Sequence, residues 1–212
     1  MGKKIKAKEL KPKDIELFLC LSKVGMISSD KIDNKENRKN YFDTNINTNQ
    51  INKYINCNYI IKESYENNYY YRLTSEGRNF CKKQVSKLYD DINLKHPYRW
   101  QSYNHCSKIE DKYFSLTENE QSTWKSEEVL KYEFDSYLRE ISDRHSDNYD
   151  FSLSNEIKEM ISNHQLSTCD CSYVSESGIE ILYEATTNSY GNLEIEQKIN
   201  YSNVMNMTLI MN

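Results

Sequence analysis

The stretch that decides the fold of the first half is Asn45–Arg78, NINTNQINKYINCNYIIKESYENNYYYRLTSEGR. Apolar residues recur at helical spacing in its first part, which predicts a helix over Asn45–Cys57. Strand-forming residues follow at Tyr59–Lys62 and again at Tyr69–Leu73, with a turn expected at Asn67 and Asn68 between them, and this pattern predicts a hairpin. Thr74 precedes another periodic run, so we expect its side chain to cap a further helix.

The two faces of the Asn45–Cys57 helix differ in character. One face is apolar, formed by Ile46, Gln50, Ile51, Tyr54, Ile55 and Cys57. The other is polar, formed by Thr48, Asn49, Asn52 and Lys53. Asparagine can bond both major-groove atoms of adenine, and lysine neutralises phosphate. The polar face is therefore a candidate DNA contact, although an Asn-rich chain would also carry such residues as ordinary solvated surface.

Upstream of this stretch, the sequence predicts two more helices and a basic arm. Residues 1–11 carry five lysines and form either a free tail or an arm that follows a DNA groove. A helix is expected from Pro12 to the glycine at 25, and a short second helix over Ile27–Ile32. Residues Asn34–Phe42 are predicted to form a polar connection that holds the candidate phosphate contacts Lys35, Arg38 and Lys39.

The order of these segments resembles the winged helix-turn-helix of bacterial regulators. The segments that carry the resemblance are ISS at 27–29, INKYIN at 51–56, NYII at 58–61 and YRLTSEG at 71–77. More narrowly, the sequence looks like the replication-relaxation family of plasmids and mobile elements. The resemblance covers about residues 12–90 and implies a duplex-DNA-binding domain with Arg72 as the wing contact. It also implies a homodimer, because the helix after the wing often pairs such domains.

The second half predicts a linker at 91–100 and a small α/β domain with a short mixed sheet over 101–212. Helices are expected at Trp100–Leu116 and Leu153–Asn163, a short helix or strand at Ser126–Tyr132, and a loop at Ser142–Ser152. A strand (Cys171–Val174), a turn (Ser175–Gly178), a second strand (Ile179–Glu184), a helix (Asn192–Val204) and a last strand (Met207–Met211) should follow.

This last segment resembles the core of PD-(D/E)xK nuclease-like domains. Asp170 and Glu184 stand at the two carboxylate positions, and such an enzyme would hold Mg²⁺ between them. The family lysine is replaced by Thr186, so Lys198 on the next helix would have to substitute, and Cys169 stands where proline is usual. These departures favour an inactive domain kept for dimerisation or partner binding. A simpler alternative is that Asp170 and Glu184 are only polar residues at strand ends, with no catalytic role.

Charge and cysteine usage narrow the class of protein. Residues 1–90 hold 18 Lys and Arg against 11 Asp and Glu, a net +7, whereas residues 91–212 carry a net −11. A basic first half fits a polyanionic partner.

The six cysteines form no C-x-x-C pair and no signal peptide is evident, which indicates a reduced, cytoplasmic protein with no membrane span. A zinc site from His105, Cys106, Cys169 and Cys171 is conceivable, but its spacing is unusual.

The sequence as a whole predicts a two-domain α+β protein. Its expected function is sequence-specific binding of duplex DNA, as a transcriptional regulator or a replication or mobilisation accessory factor of a bacterial mobile element. An enzyme is the less favoured alternative: a metal-dependent nuclease that uses Asp170, Glu184 and Lys198, with Mg²⁺ as its only cofactor. A second alternative is a protein-interaction module.

Overall fold

A computed structural model of the chain describes residues 12–42, 46–85, 103–143, 148–188 and 190–212. The fold is mixed α+β with two small sheets. The described residues divide into two compact units, one within Met1–Ser115 and the other within Leu116–Asn212. The predicted basic arm and the predicted linker at 91–100 lie outside the described residues. The boundary differs from the prediction because helix 103–114 contacts the first helix and first strand of the first unit.

The described part of the first unit is built from six helices and three strands. In chain order these are α1 (Pro12–Val24), β1 (Ile27–Ser28), α2 (Ser29–Asp33), α3 (Lys35–Tyr41), α4 (Thr48–Asn56), β2 (Ile60–Tyr65), β3 (Asn68–Leu73), α5 (Ser75–Val85) and α6 (Tyr103–Phe114). Three elements carry the predicted hairpin and its flanking helix, namely β2, β3 and α5. Thr74 caps α5 as expected, since its Oγ1 accepts the Gly77 amide at 2.9 Å.

The strands of the first unit form one antiparallel sheet in the order β1-β3-β2. The hairpin turn was predicted at Asn67 and Asn68 but lies one residue earlier, at Glu66 and Asn67. Both turn residues have positive φ, 46° and 68°. Two successive left-handed residues twist in the same sense as the strands they join, which makes a compact two-residue turn.

Two predictions upstream of α4 are wrong. Residues Ile27 and Ser28 form a strand, not the start of a helix, because they pair with Tyr71 and Tyr70 of β3. Residues Lys35–Tyr41 form a helix, not a connection: the Asn34 side chain accepts the amides that follow it and caps α3. A seven-residue helix of charged and amide side chains has no apolar stripe, so periodicity could not reveal it.

The core of the first unit lies between α1, α4, α5 and the sheet. The Phe18 ring meets Tyr54 edge-on, with ring centroids 4.9 Å apart. Phe80 of α5 stacks on Tyr59 at 4.2 Å, so the apolar side of α5 packs within its own unit. Gly77 lies directly beneath the Tyr59 backbone, and a Cβ built on it would be 1.9 Å from the Tyr59 carbonyl oxygen.

A buried ion pair joins α6 to the start of α2. The Lys31 ammonium lies 3.2 Å from a Glu110 carboxylate oxygen, and both side chains are buried. Glu110 also accepts the backbone amide and the hydroxyl of Ser28, each at 2.8 Å. Burial raises the pKa of Glu110, while the Lys31 charge and the Ser28 donors oppose that shift. Helix α6 therefore belongs to the first unit, through contacts more than 70 residues apart in sequence.

The described part of the second unit packs four helices against a four-stranded mixed sheet. Its elements are α7 (Glu118–Ser122), β4 (Lys125–Ser126), α8 (Glu127–Asp143), α9 (Asn148–Ser162), β5 (Cys171–Val174), β6 (Glu180–Glu184), α10 (Asn192–Met205) and β7 (Thr208–Met211). The strand order is β4-β5-β6-β7, with β6 and β7 parallel and the other pairs antiparallel. A crossover through α10 joins β6 to β7.

Sequence patterns located the end of this unit better than its beginning. The predicted strands and helix from Cys171 onward are confirmed to within two residues. The predicted loop at Ser142–Ser152 is wrong where it overlaps α9, which begins at Asn148. The element predicted at Ser126–Tyr132 is a two-residue strand followed by the 17-residue α8. The core between helices and sheet is formed by Leu130, Phe134, Ile141, Ile157, Cys169, Leu182 and Tyr201.

Candidate functional site

Helix α4 presents the polar face that its sequence predicted. Thr48, Asn49, Asn52 and Lys53 are all exposed, while Ile51 and Tyr54 on the opposite side are buried. The Asn47 side chain caps the helix by accepting the Gln50 amide at 2.8 Å. Asn56 is also exposed, although sequence reasoning did not select it. The helix therefore offers a continuous polar surface to a partner.

A short hydrogen-bond chain fixes α4 against α1. The Tyr54 hydroxyl donates to a carboxylate oxygen of Asp14 at 2.7 Å, and the Gln50 side-chain amide donates to the Tyr54 oxygen at 3.0 Å. Asp14 and Tyr54 are buried. Gln50 is thus held by a neighbour within the unit. The exposed face of α4 is preorganised, because packing and hydrogen bonds hold the opposite face of the helix in position.

Arg38 does not lie at the surface that was expected of a phosphate contact. Its side chain is only 5% exposed, and its guanidinium donates to the carbonyl oxygen of Ile46. A second donor lies 3.4 Å from the carbonyl of Asp33 and 3.4 Å from the hydroxyl of Thr48. Arg38 therefore joins α2, α3 and the residues before α4, and it is not part of the exposed basic surface.

Two other basic residues of α3 remain at the surface. Lys35 and Lys39 are exposed, like Lys53 on α4. The sequence of the first unit carries a net charge of +8 and that of the second −12, counted over Met1–Ser115 and Leu116–Asn212. Lysines on α3 and α4 therefore supply exposed positive charge beside the polar face.

Arg72, the predicted wing contact, is held by the hairpin itself. Its guanidinium forms two hydrogen bonds with Glu63, Nε to Oε2 at 2.7 Å and Nη2 to Oε1 at 2.6 Å. The Tyr70 hydroxyl donates to the same carboxylate at 3.0 Å. The hydrogen bonds from Arg72 hold the pKa of Glu63 below its usual range, although partial burial opposes them. The positive charge of Arg72, which was expected to bind phosphate, is therefore neutralised by Glu63.

The other face of the hairpin holds an exposed tyrosine, Tyr69. The Lys62 ammonium lies 5.2 Å from the ring centroids of Tyr69 and Tyr71 and pairs with Asp33 at 2.7 Å. Tyr69 is 53% exposed whereas Tyr71 is buried. Strand β1 covers β3 only at positions 70 and 71, so Tyr69 lies past its end. The feature of the sequence that could have indicated this exposure is the position of Tyr69 next to the hairpin turn.

In the second unit, the structure brings together all three residues nominated for catalysis. A Glu184 oxygen lies 3.0 Å from the Lys198 ammonium, and its other oxygen accepts the Asp170 backbone amide at 3.0 Å. An Asp170 oxygen accepts the Ala185 amide at 2.8 Å, and Lys198 donates to the Thr168 carbonyl at 2.5 Å. The Tyr190 hydroxyl also donates to Glu184. We call Asp170, Glu184, Tyr190 and Lys198 the polar cluster.

The polar cluster is closed and does not fit a metal ion as it stands. Glu184 is fully buried, and each of its oxygens accepts a hydrogen bond from a protein donor. Burial raises the pKa of Glu184 and the Asp170 charge raises it further, while Lys198 opposes both. Within the described ranges, no group of three or more His, Cys, Asp and Glu side chains could hold a metal ion.

Comparison with known proteins leaves the chain to be interpreted from its own residues. No family model matches it, and no curated protein or solved structure was found to match it. Among the described helices, none is both long enough and apolar enough to cross a membrane.

Proposed function

We propose that the first unit is a winged helix-turn-helix domain that binds duplex DNA, with α4 in the major groove. The observation that carries the proposal is the exposed polar face of α4. This helix is capped, its inner side is held by packing and hydrogen bonds, and the β2–β3 hairpin follows it directly. A helix of this diameter fits the major groove, where base edges can be read.

The order of elements supports the same proposal. Helix α1, strand β1, helix α2 and helix α4 precede β2 and β3, and the three strands form one sheet in the order β1-β3-β2. This succession matches the one that the sequence resemblance implied, apart from two further elements, strand β1 and helix α3. The biological role that goes with it is a transcriptional regulator or a replication or mobilisation accessory factor of a bacterial mobile element.

The exposed residues divide into two roles in this proposal. Asn49 and Asn52 face base edges, while Lys53 meets the phosphate backbone. The α3 lysines, Lys35 and Lys39, add further backbone contacts and salt-dependent affinity. Arg38 and Arg72 act inside the unit: one fixes the approach to α4 and the other fixes the hairpin.

A fluorescence-anisotropy titration of the full chain with a pool of random duplexes, at two salt concentrations, tests the proposal. We expect affinity to fall steeply with salt, because each neutralised phosphate releases counterions. Lys53→Ala should weaken binding to all duplexes and lower the salt slope by about one. Lys158→Ala is the matched control, since this exposed lysine lies on α9 of the second unit. Absence of duplex binding would overturn the proposal and favour a protein-interaction module.

A metal-dependent nuclease is the second candidate, on the single observation that Asp170, Glu184 and Lys198 converge. Against it, the cluster is buried and its hydrogen-bonding groups are turned toward one another. Incubating supercoiled DNA with the protein and Mg²⁺ or Mn²⁺ separates the two. Cleavage that disappears in a folded Asp170→Ala variant would support the enzyme; no cleavage, or cleavage that the variant retains, would leave the second unit as an acidic module for dimerisation or partner binding.

A further inference from the structure

The exposed side chains of α4 have an order around the helix axis that has consequences for base preference. At about 100° per residue, they form an arc of about 140° in the order Thr48, Asn52, Asn56, Asn49 and Lys53. The buried residues Ile51 and Tyr54 lie on the opposite side. The centre of the arc therefore consists of three amides, which we call the amide arc: Asn49, Asn52 and Asn56. A hydroxyl and an ammonium flank it.

A helix in the major groove turns the centre of its exposed arc toward the base edges and its flanks toward the two backbones. The chemistry at the centre of the arc thus sets the base preference. An asparagine amide pairs with adenine through two bonds: its oxygen accepts the N6 amino group and its nitrogen donates to N7. Guanine presents two acceptors, O6 and N7, so the same amide would leave its own oxygen without a donor.

The side chains that usually read guanine are engaged elsewhere in this unit. Arginine, with two donors directed at O6 and N7, makes the commonest specific contact to guanine. The three arginines described in the first unit, Arg38, Arg72 and Arg78, each donate hydrogen bonds within that unit. Lys53 lies at the edge of the arc, on the side that faces a backbone. Along α4 itself, no arginine occurs.

We infer that the amide arc reads adenine, and that the chain selects duplex sites with A·T pairs at the positions beneath α4. This inference rests on the proposed function, since it needs α4 in the major groove.

Selection of bound fragments from random duplexes, followed by titration of the best site, tests the inference. We expect recurrent adenines, and replacing one of them with 7-deazaadenine should lower affinity on the order of tenfold. That base analogue keeps Watson–Crick pairing and removes only the N7 acceptor. The variant Asn52→Ala should lower affinity for the selected site more than affinity for random duplex, so the preference for the selected site should be lost. Asn203→Ala, at an exposed asparagine of α10, is the matched control and should keep both the preference and the affinity.

The outcomes separate this inference from the proposed function. Binding without base preference, selection of G·C pairs, or an A·T preference that survives both 7-deazaadenine and Asn52→Ala would each overturn the inference while duplex binding stands. A preference of that last kind would be read from groove shape. Failure of the chain to bind any duplex would overturn the proposed function itself.

Discussion

Arg72 and Glu63 face each other across the β2–β3 hairpin and form two parallel hydrogen bonds, at 2.7 and 2.6 Å. Planar two-point pairing of this kind is stronger and more directional than a single ion pair. It fixes the twist of the hairpin and also removes a positive charge from the surface that would approach DNA. The same contact therefore holds the two strands together and neutralises the charge of Arg72.

Breaking this pair should increase DNA affinity. Glu63→Gln removes the carboxylate charge and releases Arg72, so we expect tighter binding to random duplex and a salt slope steeper by about one. Glu66→Gln is the matched control, because it removes the same charge from the same hairpin without touching Arg72. The double variant Glu63→Gln with Arg72→Ala removes both charges of the pair and should leave affinity nearly unchanged. A marked loss of affinity in the double variant would mean that Arg72 leaves Glu63 to bind phosphate.

The same pair predicts how stability responds to acid. Hydrogen bonds from Arg72 lower the folded-state pKa of Glu63, so ionised Glu63 stabilises the fold. This contribution is fully present above the unfolded pKa of about 4.3 and is lost as pH falls through the lower folded pKa. Relative to Glu63→Gln, the native chain should be more stable by about 1 kcal/mol at pH 7. Urea titrations at pH 7 and pH 3 measure the difference; an advantage that persists unchanged at pH 3 contradicts the assignment.

Gly77 should not tolerate alanine. A helical Gly→Ala change normally stabilises by roughly 1 kcal/mol, but here the added Cβ would lie 1.9 Å from the Tyr59 carbonyl oxygen. Backbone must move to relieve that contact, so we expect a net loss of about 1–3 kcal/mol, measured by urea unfolding. Asn79→Ala, at an exposed position of the same helix, should be neutral or slightly stabilising. A stabilised Gly77→Ala would mean that α5 packs less closely on Tyr59.

Arg38 and Lys39 are adjacent in sequence and should behave in opposite ways. Arg38→Met removes the buried donors that join α2, α3 and the start of α4, which should cost about 1–3 kcal/mol of stability and leave the salt slope of DNA binding unchanged. Lys39→Met should keep stability within about 0.5 kcal/mol and lower the salt slope by about one. Thermal unfolding and anisotropy titrations check both. The reverse pattern would place Arg38 at the DNA backbone after all.

The polar cluster of the second unit should behave as a structural ion pair. Lys198→Met leaves the buried Glu184 carboxylate without its cation, and we expect a loss of about 3 kcal/mol of stability. Changing Lys158, exposed on α9, to Met is the control and should have little effect. Urea unfolding followed by circular dichroism makes the comparison. Full stability in Lys198→Met, combined with loss of a metal-dependent cleavage activity, would instead identify a catalytic lysine.

Local patterns predicted the elements that lie in long or strongly alternating segments. The periodicity of α4 identified its two faces, and alternation located the strands from Cys171 onward. Helix α3 was missed because its side chains are almost all polar, and strand β1 because two residues are too few to show alternation. Strand β1 also depends on a partner that is distant in sequence, since Ser28 pairs with Tyr70. Helix α3 makes a contact outside itself through Arg38, which donates to the carbonyl oxygen of Ile46.

By itself, the sequence determined which side chains α4 exposes, since a helix assigns its faces from residue spacing alone. It also placed Glu184 and Lys198 on a strand and a helix, with Asp170 next to another strand, and the structure brings these three residues together. Only the tertiary structure decided which charges remain available. Arg38 and Arg72 look like their exposed basic neighbours in sequence, yet one is buried and the other is paired with Glu63. Burial and ion pairing depend on residues that folding brings together. The sequence alone therefore does not say whether a given charged side chain is exposed, buried or ion-paired.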